Sequence, residues 1–272
     1  MLRERLAVTL LLLPLALWVI ADGSWLYLAA IGLVLALAAA EFALLFRRHG
    51  FRPATGLIVG GTVLLTISRF FSGFDQAPAL LTALFLVAMT WHLVDFERGA
   101  PRSGTDFAIT LAGILYLGWI GAFLISLRRM PDGEWWLLLA LPSVWLADTA
   151  AYFVGRAVGK RRLSPRLSPK KTWEGYLAGL VGGALTGLLF APLWQMGAGP
   201  ASGVSPASGL LLGVIIGALA PLGDLGESMI KREIGVKDSG TLLPGHGGAL
   251  DRLDSWLWAG VLGFYLASWL AG

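Results

Sequence analysis

Apolar residues occur along this chain in long runs that are separated by short polar segments. Each run is close to the ~20 residues that a helix needs to cross a bilayer. The pattern predicts an all-α, polytopic integral membrane protein with about nine transmembrane helices. The runs cover residues 6–21, 24–46, 54–71, 77–96, 105–127, 134–155, 173–195, 207–226 and 253–271.

The first run is short and follows two arginines, Arg3 and Arg5, which is also the pattern of a secretory signal peptide. No clear small-residue cleavage site follows, and the second apolar run begins almost at once. We therefore favour a first transmembrane helix and keep the signal peptide as the alternative.

Composition supports a membrane protein and restricts its chemistry. The chain is 56% hydrophobic and 14% charged, with 12 tryptophans. It has no cysteine and three histidines. A disulfide framework, a thiolate nucleophile and cysteine-ligated zinc are therefore excluded, and carboxylates are the expected ligands of any metal.

Basic residues predict the orientation. With a cytoplasmic N-terminus, 18 of the 21 lysines and arginines fall on the inner side. The exceptions are Arg69, Arg128 and Arg129. The positive-inside rule therefore predicts a cytoplasmic N-terminus and an external C-terminus, and we infer no nucleic-acid partner from the basic excess.

Polarity divides the chain into two predicted regions, a transmembrane scaffold at 1–133 and a catalytic transmembrane region with cytoplasmic polar loops at 134–272. Three polar residues of the scaffold, Glu41, His92 and Asp95, lie near predicted helix ends. We interpret them as capping or interfacial groups.

The first polar cluster of the catalytic region begins with Asp148, which lies inside a predicted span. A buried aspartate in a membrane helix indicates a functional site, or else a side chain satisfied by a neighbouring helix. The following loop carries seven basic residues and ends in "PKKTWEG", residues 169–175. Thr172 is a predicted helix cap, and Glu174 suits the positive end of that helix. Together with Lys170 and Lys171, this helix start favours phosphate binding; a loop that only sets topology is the alternative.

The second cluster is "PLGDLGESMIKR", residues 221–232. Asp224, Glu227, Ser228 and Lys231 have the spacing of one helical face. Two acids, a hydroxyl and a lysine on one face are unfavourable against lipid. We expect them to line a polar site, with a stripe of intrahelical ion pairs as the alternative.

The third cluster is "GHGGALDRLD", residues 245–254. Its glycines allow the backbone to approach a ligand closely, and His246 is the one imidazole of this region. Asp251 and Asp254 follow, one helical turn apart, with Arg252 between them. With the acids of the second cluster, this pattern is typical of a divalent cation held by oxygen ligands among phosphate-binding cations.

These clusters predict a class of reaction. Acids that hold Mg²⁺ and cations at a membrane interface suit a nucleoside triphosphate and a lipid phosphate. The sequence has no Walker loop, kinase signature or serine–histidine–acid pattern. A phosphate oxygen is already an anionic nucleophile, so positioning and charge neutralisation are sufficient.

The stretch "SMIKREIGVKDSGTLLPGHGGALDRLD", residues 228–254, resembles the signature of the phosphatidate cytidylyltransferases, or CDP-diacylglycerol synthases. The spacing of its polar residues agrees throughout. Ala249 departs from the larger aliphatic residue that is usual there, which concerns packing more than chemistry. The stretches "ADTAAYFVGR" and "SPKKTWEG" also resemble that family, whereas the first half of the chain matches only in hydropathy.

The resemblance implies that CTP and phosphatidic acid react to give CDP-diacylglycerol and pyrophosphate at the cytoplasmic face of a bacterial inner membrane, with Mg²⁺ and with K⁺ as a companion ion. It implies Asp224 and Asp251 as the metal ligands, and a homodimer is expected by analogy only. We assign catalytic roles to Asp224, Asp251, Lys231, Lys237 and His246. We assign substrate binding to Asp148, Lys170, Lys171, Thr172, Glu174, Glu227, Ser228, Arg232, Asp238, Gly247, Gly248, Arg252 and Asp254.

Three other functions share some of these sequence features. A CDP-alcohol phosphotransferase would need the motif Asp-Gly-x-x-Ala-Arg, which is absent from the sequence. A CTP-dependent polyprenol or lipid kinase would share the metal site but transfer the γ-phosphoryl group. A membrane transporter would place its acids near the bilayer midplane in broken helices, whereas these acids are predicted at one face.

Overall fold

The structure is a computed structural model that describes residues 14–237, 239–240 and 248–271. Most of this part of the chain is helical. In chain order the elements are α1 (14–22), α2 (Trp25–Arg48), α3 (Thr55–Ser72), α4 (Ala77–Glu97), α5 (Ser103–Gly113), a π-helical segment (Ile114–Ile120), α6 (Phe123–Arg129), α7 (Gly133–Val158), β1 (Arg162–Ser164), β2 (Ser168–Thr172), α8 (Trp173–Ala198), α9 (Pro206–Leu219), α10 (Pro221–Glu233) and α11 (Leu250–Ala271).

Seven stretches of the described residues are long and apolar enough to cross a membrane. The all-α membrane fold is therefore confirmed. The seven stretches match the second to the eighth predicted runs. Helix α1 covers the described end of the first run, and α11 covers the ninth run and begins with three charged residues among its first five. Neither is among the seven, so the count of about nine stays a prediction.

The described residues form two compact units. The first contains residues 14–126, 239–240 and 248–253, and the second contains residues 127–237 and 254–271. Two of the boundaries fall inside α6 and α11, and the third follows Lys237. The functional division at residue 133 stays a prediction.

In the first unit, α2, α3 and the π-helical segment pack around fully buried side chains that include Phe42 and Ile58. Two glycines permit close packing here. A Cβ atom on Gly113 would lie 2.9 Å from the Ile58 side chain, and one on Gly118 would lie 2.9 Å from Leu65. The predicted run 105–127 contains the π-helical segment, which follows Gly113 and includes Gly118.

In the second unit, α8 packs along both α7 and α9 through small residues. A Cβ atom on Gly183 would meet the carbonyl oxygen of Gly213, and one on Gly187 would meet that of Gly209. These four residues are called the glycine seam. Small residues at this spacing let the backbones of two membrane helices approach closely.

The basic loop of the second unit contains an antiparallel hairpin, which the sequence pattern does not predict. Arg162 pairs with Thr172, and Ser164 pairs with Ser168. In a two-stranded ribbon both strands are edges, so Pro169 can occupy β2 without removing a ladder hydrogen bond. The hairpin is thus compatible with the two Ser-Pro steps of this loop, Ser164-Pro165 and Ser168-Pro169.

The eighth predicted run, 207–226, is divided between α9 and α10 at Ala220 and Pro221. Proline has no backbone N–H and its ring disturbs the preceding helical turn. The division places Asp224 in the first turn of α10. The residue before it, Gly223, has no room for a side chain, because a Cβ atom there would lie 2.5 Å from the carbonyl oxygen of Asp254 in α11.

Candidate active site

The acids and the lysine of α10 share one face, as the spacing predicts. The Ser228 hydroxyl donates to Asp224 Oδ1 at 3.3 Å, and Lys231 Nζ lies 3.0 Å from Glu227 Oε1. The Glu227 side chain is only 1% exposed and that of Lys231 is 13% exposed. A buried carboxylate requires a partner, so Glu227 fixes the position of the Lys231 ammonium group.

A second lysine reaches the same helix from the hairpin. Lys171, in β2, lies with its Nζ atom 2.5 Å from Asp224 Oδ2. Both side chains remain partly accessible, at 27% and 40%. The carboxylate of Asp224 is thus held by a lysine, a hydroxyl group and the positive end of α10.

Two further carboxylates of the second unit belong to this group. Asp148, in α7, interacts electrostatically with Lys171 and with Asp224. Asp254, in α11, interacts with Asp224, Asp148 and Lys231. These three aspartates and two lysines are called the aspartate cluster. The structure therefore brings together acids that are up to 106 positions apart in the sequence.

The donor chemistry of the aspartate cluster suits a hard cation such as Mg²⁺, which prefers carboxylate oxygens. Within the described ranges, however, no three acids or histidines form a group that could hold a metal ion. Mg²⁺ is commonly bound through one or two carboxylates together with substrate phosphates. The cluster fits that mode of binding better than a metal cage built from protein groups alone.

Thr172 and Glu174 connect the hairpin to α8. The Thr172 hydroxyl caps α8 by accepting from the N–H of Gly175 at 3.2 Å, so the predicted cap is confirmed. The Glu174 carboxylate accepts the backbone N–H groups of Lys160 at 3.1 Å and Arg161 at 3.3 Å. These contacts fix the base of the hairpin, and direct substrate contact by either residue stays a prediction.

Asp251 belongs to the first unit, where its carboxylate contacts Ser239 and Gly248. Its Oδ2 atom accepts the backbone N–H of Ser239 at 3.1 Å, the Ser239 hydroxyl at 2.9 Å and the N–H of Gly248 at 2.9 Å. Asp251 therefore joins the residues on both sides of 241–247. The role of Asp251 as a metal ligand stays a prediction.

The remaining predicted cations are exposed. The Arg232 guanidinium donates to the carbonyl oxygen of Val236 at 3.2 Å, which fixes the turn after α10. The exposed side chains of the predicted set also include Lys170, Lys237 and Arg252. Three other predicted site residues, Asp238, His246 and Gly247, lie outside the described residues.

From the sequence alone, Glu41 was interpreted as a capping or interfacial group, but in the structure it contacts residues 228–254, which are called the signature segment. Glu41, in α2, accepts the backbone N–H of Leu250 at 3.0 Å. Leu250 is the first residue of α11 and directly precedes Asp251. Glu41 is the one charged residue in positions 25–46, which could have marked it as functional. Its partner lies 209 positions away, and no pattern in the nearby sequence indicates that contact.

The chain is similar to known proteins over nearly its whole length. The model of the cytidylyltransferase family matches residues 3–270. A phosphatidate cytidylyltransferase of Synechocystis is 33% identical, with 96% of this chain and 95% of the relative covered. Proteins of the same name from Pseudomonas aeruginosa and Brucella suis are 34% and 39% identical; they cover 100% and 90% of this chain, and it covers 98% and 84% of them. The chain belongs to the cytidylyltransferase family.

Proposed function

We propose that this protein is a CTP:phosphatidate cytidylyltransferase. A phosphate oxygen of phosphatidic acid would attack the α-phosphorus of CTP. A new phosphoanhydride bond forms, the bond between the α- and β-phosphates breaks, and pyrophosphate leaves. Two findings support this reaction: the chain belongs to the cytidylyltransferase family, and its relatives are named phosphatidate cytidylyltransferase.

The observation that carries the proposal is the aspartate cluster with its two lysines. Transfer of a nucleotidyl group between phosphates is catalysed mainly by positioning and by neutralisation of charge. Lys171 and Lys231 are held by Asp224 and Glu227 and keep their ammonium groups at defined positions. We infer that these lysines bind substrate phosphates, and that Lys171 exchanges its aspartate partner for a phosphate oxygen.

Mg²⁺ is proposed as the metal, with Asp224 as its principal protein ligand and Asp148 and Asp254 as nearby carboxylates. A bound Mg²⁺ would neutralise phosphate charge and orient the triphosphate. Asp251 is a second proposed ligand, and this assignment rests on the resemblance of residues 228–254 to the family signature. The companion K⁺ has the same basis.

We also propose that the N-terminus and the active site are on the cytoplasmic side of the inner membrane. Most lysines and arginines lie on that side in this orientation. The hairpin and the loop at residues 199–205 lie at opposite ends of α8, whose 26 residues span about 39 Å. This length exceeds the ~30 Å hydrocarbon core, so the two segments are expected on opposite sides.

The direct test uses purified full-length protein, phosphatidic acid in mixed micelles and CTP labelled at the α- or γ-phosphate. We expect α-label in a CDP-lipid, γ-label in pyrophosphate and loss of both products in EDTA, with recovery on addition of Mg²⁺. γ-Label in the lipid would identify a lipid kinase instead. Absence of any metal-dependent lipid product would refute the proposal.

The metal assignment is tested by Asp224→Asn and Asp251→Asn. Each substitution removes a charge while keeping the size of the side chain. We expect both variants to lose nearly all turnover at any Mg²⁺ concentration. If Asp251→Asn kept near-normal turnover while Asp224→Asn did not, the role of Asp251 would be limited to its contacts with Ser239 and Gly248.

A further inference from the structure

Glu41 makes a contact that neither the sequence pattern nor the proposed chemistry requires. Helix α2 is apolar up to this residue, and the neighbouring side chains Ala38, Ala39 and Phe42 are buried. The Glu41 carboxylate is directed at the segment that begins α11, where Oε2 accepts the backbone N–H of Leu250 at 3.0 Å. All of these residues belong to the first unit.

The hydrogen bond satisfies a group that would otherwise lack a helical partner. The first N–H groups of a helix have no carbonyl oxygen within the helix to donate to. A carboxylate can accept only the free N–H groups at the N-terminus of a helix, and Glu41 lies in the C-terminal half of α2. It caps instead a helix whose first residue is 209 positions further along the chain. Its negative charge also suits the positive end of α11.

Two glycines pack directly against the same carboxylate. A Cβ atom on Gly248 would meet Glu41 Oε2, and one on Gly240 would lie 2.8 Å from Oε1. Oε1 is buried and has no hydrogen-bond partner among the described residues. Glu41 therefore contacts the chain on both sides of 241–247 and at the start of α11.

Asp251 holds the same segment from within. It accepts hydrogen bonds from Ser239, which is next to Gly240, and from Gly248, which itself packs against Glu41. The carboxylates of Glu41 in α2 and Asp251 in α11 thus both contact the backbone at residues 239–240 and 248–250. A change at Glu41 would be transmitted to Asp251 through Gly248 and Leu250.

We propose that Glu41 is a positioning residue for the signature segment, which it holds so that Asp251 keeps its orientation. The inference rests on the proposed function for its effect on turnover. It does not require that Glu41 touch a substrate. The acceptor oxygen is the essential feature, and the negative charge is secondary.

The test compares Glu41→Ala with Glu41→Gln in the full-length protein. Glutamine keeps an oxygen that can accept the Leu250 N–H, whereas alanine does not. We expect Glu41→Ala to lower kcat roughly 10- to 100-fold, the range for loss of a residue that orients a metal-ligating group, with KM for CTP within about twofold. Glu41→Gln should keep most of the activity. Glu97→Ala, at an exposed acid at the end of α4, controls for loss of charge.

Hydrogen exchange provides a readout that does not depend on catalysis. Peptides containing residues 248–253 should exchange faster in Glu41→Ala, and peptides from α8 should not change. If the wild-type protein makes no CDP-lipid, the proposed function fails while the exchange result still tests the positioning. Normal kcat and normal exchange in Glu41→Ala would overturn the inference. It would also be overturned if Glu41→Gln showed wild-type exchange at residues 248–253 but a kcat as low as that of Glu41→Ala.

A double substitution tests the contact itself. The atoms nearest a Cβ on Gly240 all belong to Glu41. Gly240→Ala alone should therefore reduce kcat and speed exchange at 248–253, and Gly240→Ala combined with Glu41→Ala should be no worse than Glu41→Ala. Additive losses in the double variant would contradict a direct contact.

Discussion

Lys171→Met provides the most informative test of the aspartate cluster. The substitution removes the ammonium group that lies 2.5 Å from Asp224 Oδ2 but keeps an unbranched apolar side chain. Both partners are partly accessible to solvent, so the ion pair is expected to contribute only about 0.5 to 1 kcal/mol to stability. The thermal unfolding midpoint in detergent should therefore fall by no more than about 2 °C.

The expected effect on catalysis is larger. If Lys171 binds a phosphate that gains charge in the transition state, its removal loses a charge-assisted hydrogen bond of about 1.5 to 3 kcal/mol. This free energy corresponds to a loss of roughly 10- to 150-fold in kcat/KM. The effect on kcat/KM would thus exceed what the stability change can explain.

The assay measures initial rates of CDP-lipid formation at varied CTP concentration and saturating phosphatidic acid, normalised to folded protein. Lys160→Met is the matched control, because it removes one positive charge from the same loop at an exposed side chain. A loss in Lys171→Met below about threefold, or equal to that of the control, would refute the role of Lys171 in phosphate binding.

Three further predictions concern the second unit, and the last of them uses a glycine of the first unit as its control. Thr172→Ala should lower the free energy of unfolding by about 1 kcal/mol through loss of the α8 cap, and Thr172→Ser should be nearly neutral; equal midpoints for all three proteins would contradict the cap. Because the chain has no cysteine, Ala201→Cys should react with an impermeant thiol reagent in spheroplasts, and Pro165→Cys only after permeabilisation; the opposite labelling would reverse the proposed orientation. Gly187→Ala should destabilise the protein, whereas Gly60→Ala, where a Cβ atom would meet nothing within 4 Å, should be neutral or stabilising by up to ~1 kcal/mol; a neutral Gly187→Ala would argue against close packing of α8 and α9.

Patterns within single helices predicted this protein well. Apolar runs located the seven candidate spans, the i, i+3, i+4 spacing located the polar face of α10, and a threonine before an acidic first turn located the cap of α8. Each of these features depends on residues that are close in sequence. Periodicity and capping are local properties, so they can be inferred without knowledge of the tertiary fold.

Features that depend on distant residues were not predicted. The pairing of Lys171 with Asp224 joins a hairpin to a helix, and the contact of Glu41 with Leu250 joins positions 209 apart. The hairpin itself was missed because its strands are short and polar and contain a proline. The division between α9 and α10 had a local signal in Pro221, but the continuous hydropathy around it favoured a single helix.

The glycine seam between α8 and α9 changes how mutational data for this protein should be interpreted. Alanine scanning normally deletes atoms, so a large effect identifies a side chain that makes contacts. Along the glycine seam the native contacts are made by backbone atoms, and alanine adds a methyl group where a carbonyl oxygen already lies. A large loss of stability at such a position would indicate a lack of space. Its size would measure the free-energy cost of moving the two helices apart.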